Sequence, residues 1–279
     1  MKSRTRWIQR SVWKFVLYAV LIFGAVVLIL PFLWMLSTSL KKANDVFQVP
    51  LRWIPAPPQW NNYPDALKKG SMVLYFINST AVSGATVFIR LFICAMAGWG
   101  LAKFEFRGRS FIFAFILSTL MVPFEIIIVP LYLTAKALGW LNSYQGLIVP
   151  LSVSAFGVFI MRQHLLSIPD DLIHSARIDG ASEFRIFMEL SIPLSSSALI
   201  ALGIFTFIES WDNLLWPLVV VSKDSMRTLA LGLASFENAY MTNYGQLMAV
   251  AVIATVPIVL AYAAFQRYFI EGIAMTGFK

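Results

Sequence analysis

Few side chains in this sequence could do chemistry, and those few suit holding a solute better than transforming one. The two histidines, His164 and His174, stand ten positions apart, which does not put two metal ligands on one helix face. The single cysteine, Cys94, lies inside an apolar run, so neither an internal disulfide nor a thiolate metal cluster can form. No phosphate-cradling loop of the form G-x-x-x-x-G-K-S/T occurs, so ATP hydrolysis by the chain itself is not expected. No catalytic or metal-ligating residue is assigned. What remains is a polar cluster late in the chain: Glu209, Trp211, Asp212, Asn213 and Trp216. Carboxylates and amides hydrogen-bond to polar solutes, and indole faces stack on them, so these five are candidates for a solute path. The competing reading makes the tryptophans an interfacial belt and the acids a helix end. Asn78 is a lone amide in an apolar block; it either lines the same path or bonds between helices. Arg90 and Glu125 are charges inside apolar blocks. Either they pair with each other, or Arg90 snorkels to an interface.

The elements that must position these residues are membrane helices. Of 279 residues, 59% are hydrophobic and 13% charged, which is too apolar for a soluble domain. Apolar blocks run over 15–40, 71–102, 110–135, 137–161, 190–222 and 238–266. Each is long enough for a span of about 20 residues, and strand-like alternation is absent. The expected fold is an all-α polytopic membrane protein with six transmembrane helices. The first block is too long for a signal-peptide core of about 7–15 residues. Between it and the second lies a polar excursion, 41–70, with five prolines and with Trp53 and Trp60, expected as an extended surface loop. The organisation expected is an N-terminal segment 1–14, a first helix and external loop 15–70, a transmembrane core 71–267 with a charged loop at 164–194, and a tail 268–279.

The net charge of +8 sets orientation rather than nucleic-acid binding in so apolar a chain. With the N-terminus inside, thirteen Lys/Arg fall on the inner side and eight on the outer, Arg90 being left out. Both termini and the 164–194 loop are therefore expected in the cytoplasm.

Within that loop the stretch from Ser167 to Leu194 interrupts the apolar second half. Pro169 suits a helix start, and Asp170 and Asp171 suit the positive end of its dipole. Leu172, Ser175, Ala176 and Asp179 fall on one mostly small face. Gly180 can end the helix in a left-handed conformation, Ser182 can cap a second piece, and Pro193 stops it. The stretch resembles the coupling loop of binding-protein-dependent ABC permeases. His174-Ser175-Ala176 stand where that family has Glu-Ala-Ala, Gly180 matches its glycine, and Leu190, Ile192 and Pro193 match its closing pattern. His174 departs from the usual Glu. The run Ala176–Ser182 resembles the form in carbohydrate permeases, as do Ala97–Gly108, Met121-Val122-Pro123 with Pro130-Leu131-Tyr132, Leu141–Ile148, and Trp211-Asp212-Asn213 with Trp216-Pro217.

The resemblance implies a six-helix, maltose-permease-like subunit of an ATP-driven importer of sugars or oligosaccharides, in a bacterial or archaeal plasma membrane. Its implied partners are a second permease subunit, two cytoplasmic ATPase subunits that bind the ATP, an extracytoplasmic solute-binding protein, a carbohydrate and the lipid bilayer; nucleic acid is not among them. Leu172, His174, Ser175, Ala176, Arg177, Asp179 and Gly180 would then contact an ATPase subunit. The alternative class is a secondary transporter of small polar solutes. It would need paired titratable groups in spans and a visible repeat, and both are weak here.

Overall fold

The computed structural model describes the backbone of residues 2–239 and 243–277, and the side chains of 13–69, 71–236 and 243–266. The described residues are mostly helical and contain no strand. In chain order the helices are α1 (Lys2–Ser39), α2 (Asn62–Lys68), α3 (Met72–Lys103), α4 (Arg109–Ser118), α5 (Phe124–Ala137), α6 (Tyr144–Ile148), α7 (Ala155–Leu166), α8 (Asp170–Ile178), α9 (Glu183–Ile186), α10 (Ile192–Leu194), α11 (Ser196–Trp211), α12 (Leu215–Val220), α13 (Leu229–Ala239) and α14 (Tyr244–Gly277).

Three helices are unbroken and long enough to cross a bilayer: Trp13–Ser39 of α1, α3, and Tyr244–Gln266 of α14. Three further spans are bent pairs, so the expected count of six holds only with each pair taken as one span. The bends are 103° between Arg109–Met121 and α5, 48° between Tyr144–Leu151 and α7, and 78° between Glu183–Leu194 and α11. Each break has a local cause. Pro123 has no N–H and holds Val122 extended, so α5 restarts there. Ser154 restarts α7 by accepting the N–H of Gly157 at 3.1 Å. A π turn over Phe187–Ser191 precedes α10, so Pro193 lies inside a helical turn, and the chain bends at Ser195. The second piece, expected through Glu189 with Pro193 as its stop, thus continues in helical turns through Leu194. The segments expected as tails are helical too: α1 begins at Lys2 and α14 runs to Gly277.

The chain forms two compact units. One holds residues 1–70 and 236–253. Its proline-rich segment is fixed rather than freely extended. Asn62 Nδ2 donates to the carbonyls of Ser39 (2.8 Å) and Lys41 (2.9 Å), and Lys69 Nζ to Gln246 Oε1 (2.7 Å). Trp53 meets Trp34 edge-on with ring centres 5.3 Å apart, and Lys41 Nζ stands 4.0 Å from the Trp34 ring centre.

The second unit holds residues 71–235 and 254–279. Its backbone is the close pair α3 and α7. Gly98 makes that approach possible: a Cβ there would stand 2.8 Å from Met161 Cβ and 2.9 Å from Arg162 N. Around this crossing Cys94, Trp99, Met161, Leu165 and Leu202 are buried together. A second core gathers Val82, Leu147, Trp216, Val220 and Leu231. Asn142, at φ 55°, ties the start of α6 to the end of α12: its Oδ1 accepts the N–H groups of Ser222 and Lys223, both at 2.7 Å.

Candidate functional site

Helices α8 and α9 form a short hairpin whose shape follows from its residues. Asp170 and Asp171 occupy the first turn of α8, at the positive end of its dipole, and Pro169 stands one position before the helix instead of in its first turn. At the far end Gly180 takes φ 82°. Its N–H bonds to Arg177 O and that of Ala181 to Ala176 O, both at 3.0 Å, the paired closure that a left-handed glycine allows. Ser182 then caps α9 by accepting the N–H of Arg185 at 3.3 Å. Arg177 turns back on the hairpin and grips Glu183 with two bonds, Nε to Oε1 at 2.6 Å and Nη2 to Oε2 at 3.2 Å. Glu183 thereby raises the Arg177 pKa further, so that guanidinium stays charged.

One expectation about the exposed face is corrected. Ala176 does not share an open face with Leu172, Ser175 and Asp179. It is half-buried against the core, one turn after buried Ile173, because residues three apart share a helix side. Its small size lets α8 sit close to its own molecule. Leu172, His174, Ser175, Asp179 and Gly180 are exposed. The hairpin also exposes Ile178 (86%) and Phe184 (61%). Neither stood among the sequence candidates, although an isoleucine and a phenylalanine flanking a charged turn are the available signal.

The inner side of the hairpin is fastened to α3 and α7. Ile173, Ile186 and Phe187 are buried with Trp99 and Leu165. Lys103, the last residue of α3, is almost fully buried and donates to Ile168 O at 2.6 Å and to Asp170 Oδ1 at 2.7 Å. The ammonium holds the Asp170 carboxyl below the usual carboxylate range, through the hydrogen bond first and its charge second. Arg162 of α7 reaches back to Leu101 O at 3.1 Å.

The second group of candidates does not assemble as expected. Trp216 is fully buried and donates Nε1–H to Gly146 O at 2.8 Å. Trp211 is buried beside Phe76 and Phe207 and donates to Ala254 O at 3.0 Å. Neither indole face opens on a path. Asn78 is likewise buried: its Nδ2 donates to Ser225 O and Arg227 O at 2.9 Å, and its Oδ1 accepts from Tyr144 Oη at 2.7 Å. All three serve contacts between elements, because a buried polar group in an apolar bundle must find its partner within the chain. Asn213 is half-buried and spends its Oδ1 capping the N–H of Trp216 at 3.1 Å. Asp212 is exposed at the end of α11.

Glu209 has a partner that sequence alone did not indicate. Arg90 Nη1 donates to Glu209 Oε2 at 2.5 Å, and Arg90 Nε to Leu151 O at 3.0 Å. Arg90 is thus paired neither with Glu125 nor snorkelled outwards; its side chain is buried, while that of Glu209 remains 59% exposed. The spacing of 119 positions hid the pair. Among the described residues no group of His, Cys, Asp or Glu could hold a metal ion.

Comparison with known proteins places this geometry. Residues 91–274 match the family described as binding-protein-dependent transport system inner membrane component. The chain is 36% identical over 274 residues to the arabinooligosaccharides transport system permease protein AraQ of Bacillus subtilis (strain 168), covering 97% of this chain and 98% of that one. It is 30% identical to the lactose transport system permease protein LacG of Rhizobium radiobacter, covering 95% and 96%. Its fold matches a chain in the crystal structure of a bacterial ABC transporter involved in the import of the acidic polysaccharide alginate, with a TM-score of 0.83 at 22% identity, covering 92% of this chain and 96% of that one. Family and fold agree with a chain of membrane helices carrying a charged, braced hairpin: the protein belongs to the inner membrane permease components of binding-protein-dependent ABC transport systems.

Proposed function

We propose that this chain is a permease subunit of an ATP-driven importer for sugars or oligosaccharides. The observation that carries the coupling half of this reading is the α8–α9 hairpin, closed by Gly180, braced by Arg177–Glu183 and presenting Leu172, His174, Ser175, Ile178 and Asp179 outward. A rigid hairpin with exposed apolar residues fits a groove on a separate ATPase subunit. Closure of two such subunits on ATP would shift the hairpin and bias the spans between inward-open and outward-open states, which requires contacts that differ between the two. A second permease subunit and an extracytoplasmic solute-binding protein complete the assembly. Both termini and the hairpin lie in the cytoplasm in this reading.

The carbohydrate assignment rests on the similarity to AraQ and LacG. Glu209 and Asp212, with exposed side chains, remain the candidates on the solute path. Their carboxylates accept hydrogen bonds from sugar hydroxyls.

The test is reconstitution of the complete assembly in proteoliposomes. Uptake of a neutral oligosaccharide should require ATP inside and the binding protein outside. Ile178→Asp, which puts a carboxylate at the proposed contact, should reduce co-purification of the ATPase subunits and abolish uptake. Uptake that proceeds without ATP, driven by an ion gradient, would replace this reading with secondary transport.

A further inference from the structure

The hairpin can transmit force only if it is joined to the membrane helices by something that does not slide. Its apolar contacts, Ile173, Ile186 and Phe187 against Trp99 and Leu165, are non-directional and have no preferred registry beyond shape. Within the hairpin, the Arg177–Glu183 and Arg185–Glu189 ion pairs brace it against itself and reach no other helix. Lys103 differs from all of these. Among the described residues, Lys103–Asp170 is the ion pair that links the hairpin to a membrane-crossing helix.

Its geometry is that of a three-way joint. The lysine is the last residue of α3. One N–H goes to Ile168 O, in the short link after α7 ends at Leu166. Another goes to Asp170, the first residue of α8. Only Ser167, Ile168 and Pro169 separate α7 from α8. The ammonium therefore spans this three-residue connection and ties α8 to α3 and to the end of α7. The lysine side chain is 2% exposed and that of Asp170 71%, so water reaches the carboxylate but hardly the ammonium.

We propose that Lys103 is the positioning residue that carries hairpin motion into the transmembrane helices, with Asp170 as its counterpart on the hairpin. The proposal rests on the coupling reading above. It makes Lys103 necessary for converting hydrolysis into uptake, and not for ATPase docking, since Lys103 lies on the inner side of the hairpin.

The experiment uses the reconstituted assembly and reads solute taken up per ATP hydrolysed. Lys103→Met keeps the unbranched stem, one atom shorter, and removes both bonds. The uptake-to-hydrolysis ratio should fall by about fivefold or more, the size of a typical coupling between sites. Asp170→Asn keeps the bond to Ile168 O and weakens the other, so it should fall between wild type and Lys103→Met. Lys103→Arg keeps charge and donors and should recover most of the ratio. An unchanged ratio in Lys103→Met overturns the proposal. So does a Lys103→Arg ratio as low as that of Lys103→Met, which would mean that buried shape and not the charged link matters. If Lys103→Met does not assemble, Asp170→Asn decides, because its side chain is exposed; an unchanged ratio there overturns the proposal. Gly180→Asp reports separately on the coupling reading: if it leaves ATPase co-purification and uptake normal, that reading fails whatever Lys103→Met does.

Discussion

Trp216 and Glu209 both stand as path candidates in the sequence, and the structure separates them by burial. Trp216 fills the core formed by Val82, Leu147, Val220 and Leu231 and has its indole N–H satisfied by Gly146 O. Trp216→Ala should therefore cost about 3–5 kcal/mol of stability and lower the yield of assembled complex, a cavity effect and not a change in solute affinity. Thermal unfolding in detergent would show it; an assembled, fully stable variant that only binds solute more weakly would return Trp216 to the path. Glu209 keeps more than half its side chain open although Arg90 donates to both its oxygens, Nη1 to Oε2 at 2.5 Å and Nη2 to Oε1 at 3.4 Å. At the hairpin, Gly180 stands at φ 82° in open space, so an added Cβ meets no neighbour and the penalty is conformational alone. Gly180→Ala should cost about 1 kcal/mol, with a correspondingly small fall in melting temperature, whereas Ala181→Gly should not reproduce that backbone strain.

At the scale of elements, α3 and α7 act as one body because Gly98 brings their backbones together. A methyl group at Gly98 would press on Met161 Cβ and the Arg162 backbone, neither of which is the free end of a flexible chain. Gly98→Ala should destabilise the protein by about 1–3 kcal/mol, and Gly100→Ala, with nothing within 4 Å of its Cβ, should be well tolerated. Comparing the melting temperatures of the two variants isolates the helix crossing from helix propensity. The joint of α8 to α3 has a pH signature. Asp170 titrates below its usual range because Lys103 bonds to the charged form. A depressed carboxyl contributes stability that is present above its unfolded pKa of about 3.9 and is lost as pH falls through the lower folded value. Coupling should thus be insensitive to this group from about pH 5 to 8 and weaken only below about pH 4. Asp170→Asn should remove that acid-side loss; an acid limb of equal size in the variant would assign it to another group.

For the whole molecule, Arg90 does what no single helix can. From α3 it binds Leu151 O, where the α6–α7 span breaks, and Glu209 near the end of α11. Broken spans leave backbone carbonyls without helical partners, and in a bilayer these need partners within the protein. Arg90 supplies one and is itself neutralised by Glu209. Arg90→Met would leave Leu151 O and the Glu209 carboxylate without this partner; the carboxylate is exposed, so a loss of about 1–3 kcal/mol is expected, mainly from the orphaned carbonyl. Glu209→Gln retains a hydrogen-bonding oxygen but leaves the buried Arg90 guanidinium without its counter-charge, and should cost at least as much. Membrane insertion together with thermal stability in detergent measures both; equal stability of Arg90→Met and wild type would remove Arg90 from the scaffold.

The sequence by itself determined the membrane class, because six long apolar blocks with little charge have no other stable environment. It also determined the hairpin, whose signals are local: two acids at a helix start, a glycine that can adopt positive φ, and a serine able to cap the next turn all act within a few residues. Ala176 was misplaced on that hairpin because helical periodicity says which residues share a face, and not which face turns inward. Only the tertiary structure decided where the isolated polar groups go. Arg90 with Glu209, Lys103 with Ile168 and Asp170, Asn78 with Ser225 and Arg227, and Trp216 with Gly146 are separated by 65 to 149 positions. No spacing rule connects them. Each pair exists because an apolar interior leaves a polar group costly until it finds a partner, and the packing of the helices determines which partner comes within reach.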